Sequence, residues 1–137
     1  MDKLTKGTVT GIALATRIWA EERAQRTNYN ADDLQGWCAI ASAELHSRLT
    51  EQGIAAEIHM WQNENKWAHC FVVVEDHIVD VTASQFWQFK DQNLVIMHVR
   101  EAEFYEMYRT VKTFSCGAAL RRHQKRDKWP SNQICYS

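Results

Sequence analysis

The 137-residue chain carries almost no net charge: 16 Lys and Arg against 17 Asp and Glu leave −1 at neutral pH. That balance excludes the broad basic surface that draws proteins onto nucleic acid or anionic membranes. Long apolar runs are also missing. The first candidate, within MDKLTKGTVTGIALATRIWAEERAQR, is broken by Arg17 and then by Glu21, Glu22 and Arg23. It therefore reads neither as a secretory signal nor as a membrane span. Cysteines are few and scattered: Cys38, Cys70, Cys116 and Cys135, with no C-x-x-C pair. Structural zinc needs closely spaced ligand pairs, and the adjacent His69 and Cys70 would diverge on a strand, so no metal or cofactor is expected. Irregular spacing without a secretory signal implies free thiols and a cytoplasmic protein. With no repeat, low-complexity segment or linker, residues 1–137 read as one domain.

What is present is core material. Hydrophobic residues make up 45% of the chain and aromatics 11%, with six tryptophans. A chain of this size and composition builds a core without a disulfide staple.

Two helices open the order. Thr8 to Arg26 has Ile12, Ala15, Ile18 and Trp19 at helical spacing. After the polar break TNYNADD, Cys38 begins a second helix with Ile40, Ala41, Leu45 and Leu49 as its apolar stripe and Gly53 as its stop. Strands follow. IAAEIHMWQ alternates, KWAHCFVVV and HIVDVTA are rich in β-branched residues, and NLVIMHV is a fourth. Glu101 to Thr113 reads as helical through Phe104, Tyr105, Tyr108 and Val111, and GAALRRHQKR as a short basic helix. Sequential strands flanked by helices imply an α+β fold with an antiparallel sheet.

GWCAIASAELHSRLTEQG places Cys38 at the mouth of a helix. Unpaired N–H groups and the positive end of the macrodipole favour thiolate there. The position suits a nucleophile; the ordinary alternative is a buried, inert cysteine.

A partner comes from strand register. With a two-residue turn at Glu75-Asp76, Val74 faces His77, Phe71 faces Asp80 and His69 faces Thr82. His69 and Asp80 are then diagonal neighbours on one face, about 7–8 Å apart at Cα, close enough for their side chains to hydrogen-bond. Both faces of this hairpin are apolar, so an unpaired His or Asp would cost about 1–3 kcal/mol. Pairing satisfies both. Asp80 on His69 Nδ1 would leave Nε2 facing a thiol, which is the logic of nucleophile, base and orienter.

GWCAIASAEL, WAHCFVVV and HIVDVTASQF together resemble the transglutaminase-like branch of the papain-fold cysteine enzymes. The resemblance covers about Leu34 to Phe86, and Val81 stands where that family usually has proline. It implies a papain-like, transglutaminase-like fold in which a nucleophile helix packs on an antiparallel sheet. It also implies a Cys38-His69-Asp80 triad that attacks amide carbonyls through a thioester, in peptide hydrolysis, glutamine deamidation or acyl transfer.

An oxyanion would be held by the Cys38 N–H, aided by Gln35 or Trp37. Trp61, Trp67 and Trp87 flank the site as core or as groove walls, with Trp67 a candidate substrate contact. The expected partner is a protein or peptide substrate, with no membrane partner. The basic segment 121–128 reads as a solvated helix face rather than a nucleic-acid site. The competing reading is a transglutaminase-like binding module without catalysis.

Overall fold

The computed structural model describes residues 1–31, 33–62, 68–102 and 109–126, apart from the side chains of 62 and 109–111. Among these residues, helices α1 (Lys3–Thr27) and α2 (Cys38–Glu51) come first. Strands β1 (Glu57–Gln62), β2 (Ala68–Val74), β3 (His77–Asp80), β4 (Val95–His98) and β5 (Arg109–Phe114) follow, then helix α3 (Gly117–Arg126). Short 3-10 turns lie at Ala83–Gln85, Trp87–Phe89 and Val99–Glu101. The strands form one antiparallel sheet in the order β4-β3-β2-β1-β5. The class is α+β, as the element order implied.

The β2–β3 hairpin has the two-residue turn read from the sequence. Val74 pairs with His77, and Glu75 and Asp76 take φ of 47° and 62°. Two left-handed residues in succession are what a tight hairpin turn of matching twist requires. Both faces of the hairpin are covered. Cys70, Val72, Val74 and Val79 join Ile58, Leu45 and Leu49 in the main core, under α2. Trp61, Phe71, Ile78 and Ala102 form a smaller cluster on the other face. Burying each large aliphatic side chain contributes about 1.5–3 kcal/mol, and α2 packs on β2, on α1 and on α3.

Two expectations are corrected. On α1 the buried face is Val9, Ala13, Thr16, Arg17, Ala20 and Ala24, while Ile18 is 57% exposed. Two series at helical spacing run side by side on this helix. The one that turns inward has the small side chains that let α1 lie close to α2, and it places Arg17 against a carbonyl. Second, the helix expected from Glu101 to Thr113 is absent where the chain is described: residues 103–108 lie outside the described residues, and Arg109–Phe114 is β5. Pairing along the outer edge of β1, with Ile58 opposite Phe114 and His59 opposite Thr113, overrides the local periodicity.

The basic helix forms as α3. It packs on α2 at Gly117, where a Cβ would stand 2.7 Å from that of Ala43. No helix among the described residues is long and apolar enough to cross a membrane.

Candidate active site

The loop into α2 is tightly specified. Leu34 and Gly36 have φ of 58° and 85°. A Cβ on Gly36 would lie 2.9 Å from the Tyr29 hydroxyl, so a side chain here meets both strain and a neighbour. The Trp37 indole N–H donates to the Tyr29 carbonyl at 2.8 Å. Trp37 is the N-cap of α2, yet its side chain caps nothing, and Cys38 is the first helical residue. First-turn N–H groups of a helix point outward from its end.

Cys38 reaches the sheet where two strands part. Val72 pairs with Val79, so Cys70, two residues further along β2, would next meet Val81. By then β3 has ended, at Asp80. The N–H of Cys70 donates instead to Cys38 Sγ at 3.2 Å. The sulfur thus lies beside the backbone of β2, one residue from His69.

His69 and Asp80 meet as expected on one face: Nε2 to Oδ2 is 2.7 Å, with each residue 1% exposed. Thr82 donates to Asp80 Oδ1 through its N–H at 2.9 Å and its hydroxyl at 3.3 Å. An ionised carboxylate only accepts, so the proton between the pair belongs on Nε2. This reverses the expected nitrogens. Nε2 is the far atom of the ring and spans the diagonal to Asp80 on β3. The Gln85 side-chain amide nitrogen contacts Nδ1. Phe86 meets the imidazole edge-on at 4.7 Å between centroids, and Trp61 and Phe71 lie at 5.9 and 6.2 Å.

A buried arginine fixes the segment after Asp80. Arg17, 3% exposed, donates from Nη1 to the Val81 carbonyl at 3.0 Å and to Ser84 Oγ at 2.6 Å. Ser84 Oγ donates in turn to the Asp33 carbonyl at 3.2 Å. The loop before Cys38 and the loop after Asp80 are therefore tied together.

The cysteines differ sharply. Cys38 is fully buried and disulfide-bonded, while Cys70 and Cys116 are free thiols. The expectation of free thiols throughout is thus corrected at Cys38. Burial, with the Asp80 charge adding, pushes the Cys70 thiol far above its ordinary range, which makes it inert. Cys116 sits just before α3, and the backbone N–H of Ala119 foremost holds its thiol below the ordinary value.

The remaining expected residues are placed as follows. Gln35 is half-buried; its N–H donates to Asp33 Oδ1 at 3.0 Å and its carbonyl accepts from Asn30 at 2.8 Å. Trp37 has its one polar side-chain group committed to Tyr29, so it offers no donor to an oxyanion. Trp67 lies outside the described residues. Arg121, Arg122, Lys125 and Arg126 are exposed on α3, and 127–128 lie outside the described residues. No group of three His, Cys, Asp or Glu suited to a metal ion occurs among the described residues. Sequence reasoning missed Gln85, Arg17 and Thr82. Thr82 and Gln85 fall in the quoted segment HIVDVTASQF, but only the turn at Ala83–Gln85 aims the amide back at His69. Arg17 looked like a charge interrupting an apolar run.

Comparison of the chain with protein-family models, with curated proteins and with solved structures finds no match.

Proposed function

We propose that this chain is a thiol-dependent amide-bond enzyme with a papain-like, transglutaminase-like arrangement. The supporting observation is the buried His69–Asp80 pair at 2.7 Å, one residue along β2 from the sulfur of Cys38 at the start of α2. In the reduced chain, Nδ1 of His69 takes the Cys38 proton. The thiolate adds to an amide carbonyl, and the oxyanion is met by N–H groups of the first turn of α2. Collapse breaks the C–N bond, and the amine leaves with the proton from His69. The thioester that remains is resolved by water, or by an amine in acyl transfer. Asp80 holds the ring in the tautomer that leaves Nδ1 basic and stabilises the imidazolium once it forms.

A protein or peptide is the substrate class, and the triad suits hydrolysis, glutamine deamidation and acyl transfer alike. Mass spectrometry of candidate substrates incubated with the reduced chain tests the reading. Cleavage products indicate a peptidase, and the mass gain of amide nitrogen replaced by oxygen indicates a deamidase. Wild-type turnover no greater than that of Cys38→Ala would refute it.

The disulfide at Cys38 favours one other reading, a binding module that keeps the fold with Cys38 as a structural half-cystine. Reduction separates the two. A structural bond leaves Cys38 an ordinary thiol, whereas a triad leaves one activated by His69.

A further inference from the structure

Strands β3 and β4 meet at two histidines. His77 pairs with His98, and just beyond them the Val99 N–H donates to the Asp76 carbonyl at 2.9 Å. His77 and His98 are therefore a non-hydrogen-bonded pair, the kind that brings side chains closest. Their ring centroids are 5.1 Å apart. Both rings lie on the helix side of the sheet: two residues along each strand, Val79 is in the main core and Ile96 packs against it. Lys6 of α1 closes that side. With His77, His98, Arg100 and Glu101 it lines a cavity of about 410 Å³. Hydrogen bonds set opposite neutral tautomers on the two rings. His77 Nδ1 lies 2.8 Å from the Glu75 carbonyl, which only accepts, so Nδ1 holds the proton and Nε2 is left as an acceptor. His98 Nδ1 accepts the Arg100 N–H at 3.0 Å, so its proton sits on Nε2, a donor. Lys6 and Arg100 form no ion pair among the described residues. Against Glu101 they leave the lining positive even with both imidazoles neutral. We propose that this cavity is a binding site for hydrogen phosphate.

Hydrogen phosphate matches the lining group by group. Its single O–H donates to His77 Nε2. Its other oxygens accept from the Nε2–H of His98 and from the Lys6 ammonium and Arg100 guanidinium, as charge-assisted hydrogen bonds. Sulfate has no proton to give, so its lone pairs would face that of His77. The dianion of a phosphate monoester has the same defect. A metal ion would need a lone pair on both Nε2 atoms, and His98 could supply one only by giving up its bond to the Arg100 N–H. No third His, Cys, Asp or Glu completes a metal set among the described residues. Glu101 opposes any anion, which keeps the affinity modest. The cavity lies at the end of β3 opposite Asp80, and the proposal does not rest on the reading of Cys38.

Long-range imidazole ¹H–¹⁵N spectra of the full chain at about pH 8, above the ordinary histidine value near ~6.5, read both tautomers directly. The expected result is Nδ1–H at His77 and Nε2–H at His98; one tautomer shared by both rings overturns the proposal. Titration with inorganic phosphate at constant ionic strength is expected to move both sets of ring signals saturably, and sulfate to bind several-fold more weakly. Lys6→Gln and Arg100→Gln change exposed side chains, so the fold is kept, and each should weaken phosphate binding several-fold. His77→Phe, read through the His98 signals, should abolish the preference for phosphate over sulfate. Equal responses to sulfate and phosphate in the wild type overturn the site, as does phosphate binding unchanged when Lys6→Gln and Arg100→Gln are combined. Tighter binding of a phosphoserine peptide than of inorganic phosphate at this pH overturns it too. So does a response of both histidines to Zn²⁺ with none to phosphate, which identifies a metal site instead.

Discussion

Asp80→Asn should both destabilise the reduced chain and silence its thiol, for one reason. Asp80 is 1% exposed and takes three donors: the ring N–H of His69, the Thr82 N–H and the Thr82 hydroxyl. An asparagine has one carbonyl oxygen to offer. The hydroxyl can rotate away, but His69 Nε2 and Thr82 N lie on different oxygens of the carboxylate. One of them must then face the new amide NH₂. If Thr82 does, a buried donor is left unmade, at about 1–3 kcal/mol. If His69 does, the ring escapes the clash by moving its proton to Nδ1, and the base of the proposed triad is gone. Asp80→Ala removes every acceptor and should cost about 3–5 kcal/mol, as when one partner of a buried pair is lost. Domains of this kind are stable by about 5–15 kcal/mol, so the asparagine variant stays folded for assay. Urea unfolding of the reduced proteins gives the first quantity, and residue-resolved alkylation of Cys38 gives the second. A double-mutant cycle with His69→Ala isolates the pair's own coupling. If both Asp80 variants unfold within about 0.5 kcal/mol of wild type, as surface changes do, the pair is not buried and bonded as described.

Other expectations concern the frame around the pair. Because backbone N–H groups lower the Cys116 thiol, its alkylation should persist to lower pH than that of an ordinary thiol near ~8.5, while Cys70 should stay unlabelled until the chain unfolds. Labelling of Cys70 in the native chain would contradict its burial. Arg17→Met should cost about 1.5–3 kcal/mol for each charged hydrogen bond not replaced, and should loosen the segment after Asp80, read as faster hydrogen exchange at Thr82 and Ser84. Unchanged exchange would show that Arg17 merely fills space. Gly36→Ala should cost about 1–2 kcal/mol for the left-handed backbone, plus a contact with the Tyr29 hydroxyl that Tyr29→Phe relieves. Additive effects of those two changes would rule out that contact.

Local pattern carried much of the fold. The Glu75-Asp76 turn and the alternation on either side of it set the β2–β3 register, and that register alone brought His69 to Asp80. What was not legible had a long-range cause. The inward face of α1 depends on how closely α2 packs and on a carbonyl at Val81, and neither is encoded in the spacing of Ile12 and Ile18. The strand at Arg109–Phe114 pairs with the edge of β1, although Val111 continues the helical spacing of Phe104, Tyr105 and Tyr108 in the sequence. The choice of ring nitrogen on His69 required knowing that Nε2 rather than Nδ1 spans the diagonal to the Asp80 carboxylate. The oxidised state of Cys38 had no signal in the spacing of four scattered cysteines.

The most direct measurement is the rate–pH curve of Cys38 alkylation in the fully reduced chain, resolved by residue and compared with His69→Ala. A thiolate–imidazolium pair predicts rapid labelling at mildly acidic pH, and a curve in His69→Ala displaced upward toward an ordinary thiol near ~8.5. A Cys38 curve that lies with the ordinary thiol and does not move when His69 is removed would contradict a catalytic site here.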